Sequence, residues 1–168
     1  RGLGDVYKRQ SRNWLPSPKI EIVLPSKACL IKKLTILPLF AQYSASTSAS
    51  TFDALATWAR KQNFLWDTKF IHSYHDHPAY LTAICESIKA HWAKNGQKHL
   101  LFTYHGLPKA MLLAGDPYHC YCVKTTRLLC EMLNLKDDEH SMSFQSRFGA
   151  QEWLKPYTDD VIPELAKK

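Results

Sequence analysis

No run of eighteen apolar residues occurs in the sequence, so no segment is predicted to cross a bilayer as a helix. The opening stretch, Arg1 to Gln10, lacks the apolar core of a secretory signal and does not begin with Met. Its pattern matches nothing around it, so residues 1–12 are expected to be a non-native or disordered leader, with the folded part over 13–168. No C-x-x-C pair occurs among the five cysteines Cys29, Cys85, Cys120, Cys122 and Cys130. That spacing and odd count argue against a disulfide framework and against a zinc ribbon. They point to reduced thiols and a cytoplasmic setting. Internal repeats are absent, and low complexity is confined to Ser44 to Thr51, "SASTSAST".

A basic surface is also missing from the folded part. The formal charge is +7, but residues 1–33 carry eight Lys/Arg against Asp5 and Glu21, a net +6. The remainder carries fourteen against thirteen, a net +1. Nucleic acid needs cations clustered on a folded face, so no nucleic-acid partner is expected. What is present is ordinary globular material: 168 residues, 45% apolar and 22% charged, enough for a real core.

Periodicities alternate along the chain. "KLTILPLF" (Lys33 to Phe40) reads as a buried strand closed by Pro38, and the Ser/Thr cluster then offers caps for a helix over Thr51 to Lys61. "TKFIHSY" (Thr68 to Tyr74) is a second strand. His77-Pro78 opens a helix whose Leu81, Ile84, Cys85, Ile88 and Trp92 form one apolar stripe, ended by Asn95-Gly96. "KHLLFTY" (Lys98 to Tyr104) is a third strand, His119 to Leu133 a helix with Cys122, Thr125, Leu129 and Leu133 inward, and "HSMSFQS" (His140 to Ser146) a fourth strand. Thr158-Asp159-Asp160 begins a last helix. The alternation predicts an α/β fold, a doubly wound and mostly parallel sheet. Ligands in such folds bind beyond the carboxyl ends of the strands, which singles out the loops 42–51, 105–117 and 145–153.

Within those loops His105 draws most interest, because an apolar strand runs straight onto it and breaks at Gly106 and Pro108. Two readings stand: a hydrogen-bonded scaffold histidine, or a metal ligand with the backbone drawn close by Gly106. His72, His75, Asp76 and His77 look like a metal nest but read better as a solvated loop leading into the helix, with His77 kept as a cap or a residue behind the site. His119, Cys120 and Cys122 likewise read as helix thiols or as a metal clip. Arg147 suits a carboxylate and Trp153 a flat ring, or else a rim salt bridge and a core tryptophan.

Four ordered stretches, "LPLFAQYSASTSASTFDAL", "YHDHPAYLTAICESI", "FTYHGLPKAMLLAGDPY" and "SFQSRFGAQEWLKPYTDD", resemble ferrochelatases of the bacterial type over about residues 13–166. The resemblance implies two similar α/β lobes with the porphyrin between them, a chelatase-like sheet here incomplete at both ends. It implies insertion of ferrous iron into protoporphyrin IX to form protohaem, the last step of haem synthesis. His105 would be the catalytic and metal-binding histidine of the H-[GS]-[LI]-P motif. Trp153, of W-L-x-P, and Gln42, Tyr43 and Ser44 would contact porphyrin, with His77 and Arg147 behind them. Iron enters as the substrate metal. Ala45 stands where some members carry a cluster cysteine, so no iron–sulfur cluster is expected. The chain reads as an internal fragment, poorly active by itself, lacking the acidic residue that faces the histidine in the family. Peripheral membrane association stays open. So do a chelatase relative using another metal and a non-catalytic porphyrin- or metal-binding module.

Overall fold

The computed structural model describes residues 33–62 and 66–167. The leader expected over 1–12 and Cys29 lie outside the described residues. The chain divides into two compact units, one ending at Tyr74 and the other beginning at His75.

In the first unit β1 (Lys33–Ile36) pairs in parallel with β2 (Asp67–Phe70), from Lys33 opposite Asp67 to Ile36 opposite Phe70. β1 is shorter than expected and not fully buried: Lys33 and Thr35 are exposed, Leu34 and Ile36 half-buried. The reason is in its letters, since K-L-T-I alternates polar and apolar as a one-faced strand does. Leu37, Leu39 and Phe40, read from sequence as part of that strand, lie beyond it and are exposed. Next come a π-helical turn (Ala45–Ala49) and α1 (Ser50–Ala59). Ser44 starts the turn by accepting Ser46 N–H on its Oγ at 3.2 Å, and its carbonyl takes Ala49 N–H at 3.2 Å. Leu55 is the buried contact of α1, while Phe52 lies half-exposed with its ring edge-on to Phe70 at 5.3 Å.

The second unit runs α2 (Pro78–Asn95), β3 (Leu100–His105), α3 (Lys109–Leu113), α4 (Tyr118–Leu133), β4 (His140–Gln145) and α5 (Thr158–Leu165). α2 starts where Pro78 needs no hydrogen-bond acceptor, and His77 caps it by accepting Ala79 N–H on Nδ1 at 3.3 Å. It stops at Gly96, whose φ of 77° is open to glycine and strained for other residues. α4 stops at Asn134 in the left-handed region, where Leu135 N–H closes back on the Cys130 carbonyl at 3.0 Å.

β3 and β4 pair in parallel from Leu100 opposite His140 to His105 opposite Gln145. A parallel pair needs a crossover, and α4 supplies it. Leu81 and Cys85 of α2, Phe102 of β3, and Leu129, Cys130 and Leu133 of α4 form one buried cluster. Cys122, Phe144 and Leu154 form a second. The α/β architecture with parallel strands is the one the alternation predicted. The loops after β3 and β4 leave from one edge, because His105 and Gln145 close the two strands at the same level.

Candidate active site

His105 ends β3 with its side chain exposed. Its Nδ1 lies 2.7 Å from the Gly106 carbonyl. A carbonyl can only accept, so Nδ1 is the donor in this contact, and in the neutral ring the lone pair is then on Nε2. The main chain at this point is held on both sides. The His105 carbonyl accepts Tyr118 Oη at 3.0 Å, and Gly106 N–H donates to the Gln145 carbonyl at 2.7 Å. Gly106 is required for closeness rather than for an unusual φ: a Cβ there would stand 2.8 Å from the Gln145 oxygen and 3.2 Å from Trp153 Cε3.

Trp153 sits directly behind this turn and is 5% exposed. Its indole N–H donates to the Phe148 carbonyl at 3.0 Å, and its ring meets Phe148 at 5.5 Å with a 45° tilt. Backbone bonds from Leu154 to Leu107 (2.9 Å) and from Lys109 to Glu152 (2.9 Å) lash the 152–154 segment to the loop after His105. Phe148, half-exposed, is the aromatic face of this pair that meets solvent. Arg147 lies over the Tyr157 ring at 4.1 Å and pairs with Asp159 at 3.7 Å and Asp160 at 4.0 Å. The guanidinium is therefore already engaged at the rim.

The predicted site residues fall in both units. Gln42, Tyr43 and Ser44 belong to the first, after β1. Tyr43 meets the His72 ring at 5.9 Å, which joins the carboxyl ends of β1 and β2, and Ser44 is buried with its hydroxyl on the turn it caps. His77, His105, Arg147 and Trp153 belong to the second. There His105 and Trp153 come together around Gly106, Arg147 lies farther along the β4 loop, and His77 is a helix cap.

Sequence reasoning missed two features. His75, read as part of a solvated loop, is buried and stacked on Tyr121 at 3.8 Å and 9°; the aromatic at position 121, one helical turn before Thr125, was its available signal. Tyr118, in the G-D-P-Y turn, drew no role from the sequence although its hydroxyl reaches His105. Burial pushes the phenol of Tyr118 up, and pushes the thiol of Cys122, one turn further along α4, up to about 12. Both are thus proton-carrying at neutral pH. Cys85, Cys122 and Cys130 are buried free thiols and Cys120 an exposed one. Among the described residues no three His, Cys, Asp or Glu side chains gather as a metal-holding group.

A parallel α/β unit with an exposed imidazole at a strand terminus, beside a packed aromatic pair, places these side chains at the carboxyl edge of the strands, where α/β folds bind their ligands. The chain belongs to the ferrochelatase family, whose family model matches residues 10–168. It is 52% identical over 139 residues to a ferrochelatase of Marinobacter nauticus, covering 82% of this chain and 38% of that protein. To those of Pseudoalteromonas atlantica and Nitrosococcus oceani it is 48% and 47% identical, covering 90% of this chain in each case and 43% and 42% of those proteins. The chain thus spans about two fifths of the length of the curated relatives it matches.

Proposed function

We propose that this chain carries the histidine side of a ferrochelatase active site, in a protein that inserts ferrous iron into protoporphyrin IX to form protohaem. The observation that carries the reading is the exposed His105 imidazole at the end of β3: Nδ1–H is committed to the Gly106 carbonyl, which in the neutral ring leaves the lone pair on Nε2. Insertion replaces two pyrrole protons by one Fe2+, and such a lone pair can bind the incoming metal or accept a pyrrole proton. Trp153 and Phe148 supply the aromatic backing for a flat macrocycle, Trp153 by fixing the turn and Phe148 by its exposed face. Gln42, Tyr43 and Ser44 complete the porphyrin contacts in this reading, His77 and Arg147 stand behind them, and the two compact units are parts of two lobes.

Iron is a substrate here, and the reading involves no iron–sulfur cluster, since Ala45 offers no thiol. A cytoplasmic setting goes with it, supported by the four free thiols among the described residues. No helix among the described residues is long and apolar enough to cross a membrane. The 168-residue chain by itself is expected to insert iron far more slowly than a full-length relative, because it covers 38–43% of such proteins.

The test is His105→Ala in the full-length protein, with protohaem formation followed by absorbance. Iron insertion should fall by at least ~100-fold, the lower range for loss of a general base. Undiminished insertion would make the histidine a scaffold residue. Porphyrin binding without turnover in the unsubstituted protein would favour a non-catalytic module instead.

A further inference from the structure

The peptide between His105 and Gly106 is held at both polar atoms. Its N–H is bound by β4 backbone, through the Gln145 carbonyl at 2.7 Å, and its carbonyl by a side chain, Tyr118 Oη at 3.0 Å. The next carbonyl, that of Gly106, takes the imidazole Nδ1–H at 2.7 Å. The anchor of the imidazole therefore belongs to the peptide directly after the plane that Tyr118 fixes. If that plane turns, the Gly106 carbonyl swings away from Nδ1 and the reason for the Nδ1–H tautomer goes with it.

Tyr118 is itself built into place. It opens α4, its N–H donates to Asp116 Oδ1 at 2.9 Å, and Asp116 is buried with its own N–H on the Met111 carbonyl at 3.0 Å. The hydroxyl thus arrives at the His105 carbonyl from a fixed helix start. An –OH aimed at a carbonyl can only donate.

We propose that Tyr118 is a positioning residue for His105: its hydroxyl holds the 105–106 peptide so that His105 keeps the Nδ1–H tautomer, with the lone pair on Nε2. The catalytic consequence rests on the proposed role of His105; the tautomer assignment does not.

The experiment is a long-range proton–nitrogen correlation spectrum of the His105 ring in the 168-residue chain, at a pH well above the ordinary histidine pKa of about 6.5. The unsubstituted chain should show one protonated and one lone-pair nitrogen, with Nδ1 the protonated one. Tyr118→Phe removes Oη alone, and the Nδ1–H fraction should fall below half. Tyr104→Phe is the comparison: it deletes a hydroxyl bonded to Thr126 Oγ1 at 2.9 Å rather than to the 105–106 peptide, and should leave the ring signals unchanged. Para-aminophenylalanine at position 118 keeps a donor and should restore the pattern. If Tyr118→Phe does not fold, para-fluorophenylalanine, close to tyrosine in size but no donor, takes its place. A folded donor-less variant with the wild-type ring signals overturns the proposal. A tautomer change in the full-length protein with undiminished iron insertion would sustain Tyr118 and count instead against the role of His105.

Discussion

Gly106 shows how narrowly the candidate site is built. In Gly106→Ala the new methyl group would lie 2.8 Å from a backbone oxygen of β4 and 3.2 Å from the Trp153 ring. The oxygen is already bound to Gly106 N–H at 2.7 Å, so neither side can withdraw without opening the end of the β3–β4 ladder. Overpacking of this kind costs about 1–3 kcal/mol, and a urea titration of the second unit should register that loss. An unchanged midpoint would show that the turn has room to relax. The need for close approach at Gly106 was legible, because a glycine set between an apolar strand and Leu107-Pro108 marks a sharp exit with little room for a side chain. The link from Tyr118 to His105 was not, since it spans thirteen residues and two turns. The sequence left Trp153 open between a ring-stacking wall and a core tryptophan; its burial follows from the Leu154-to-Leu107 and Lys109-to-Glu152 bonds that fold one loop over the other.

At the scale of elements, the long helices and the strands β3 and β4 were readable, whereas α3 and the far ends of β1 and β2 were not. α2 and α4 lie within a residue of their expected ends because each carries an apolar stripe over several turns and a terminal signal, His77-Pro78 or Asn134. α3 went unseen because five residues show no period. The two long helices are also tied by a charge pair, Lys124 Nζ to Asp76 Oδ2 at 2.6 Å, between α4 and the residues leading into α2. The hydrogen bond from Lys124 holds the Asp76 carboxyl below its ordinary value of 3.8, against the opposing effect of desolvation. A depressed carboxylate contributes stability above its unfolded pKa and loses it as the pH falls through the lower folded value. With side chains 42% and 46% exposed the pair should contribute only roughly 0.2–1 kcal/mol. His75 Nε2 lies 3.9 Å from the same carboxylate, so a double-mutant cycle with Asp76→Asn and Lys124→Met is needed to isolate the pair. Its coupling energy should be measurable at neutral pH, shrink in high salt and vanish once Asp76 is protonated. A coupling that persists in strong acid would mean that packing of the Lys124 stem, not charge, joins the helices.

Among the described residues the core lies unequally in the two units. Every residue of both buried apolar clusters lies between Leu81 and Leu154, on the far side of the boundary at His75. In the first unit the buried hydrophobics among the described residues are Ala41 and Leu55. Buried apolar area is the main term opposing chain entropy, so autonomy should follow the clusters rather than the number of strands, which among the described residues is two in each unit. The segment 75–168 expressed alone is therefore expected to unfold cooperatively in urea and to give dispersed amide signals. Those of β3, β4 and α4 should match the 168-residue chain. The segment 33–74 alone should give neither, since a two-stranded pair with one helix buries too little to hold itself in water. Loss of cooperative unfolding in 75–168 would mean that this core depends on residues before His75. If 75–168 folds, the His105 turn, with Tyr118, Gln145 and Trp153 around it, is complete within one folding unit. The ring-nitrogen signals of His105 should then be the same in 75–168 as in the longer chain, which separates what builds the histidine from what supplies its substrate.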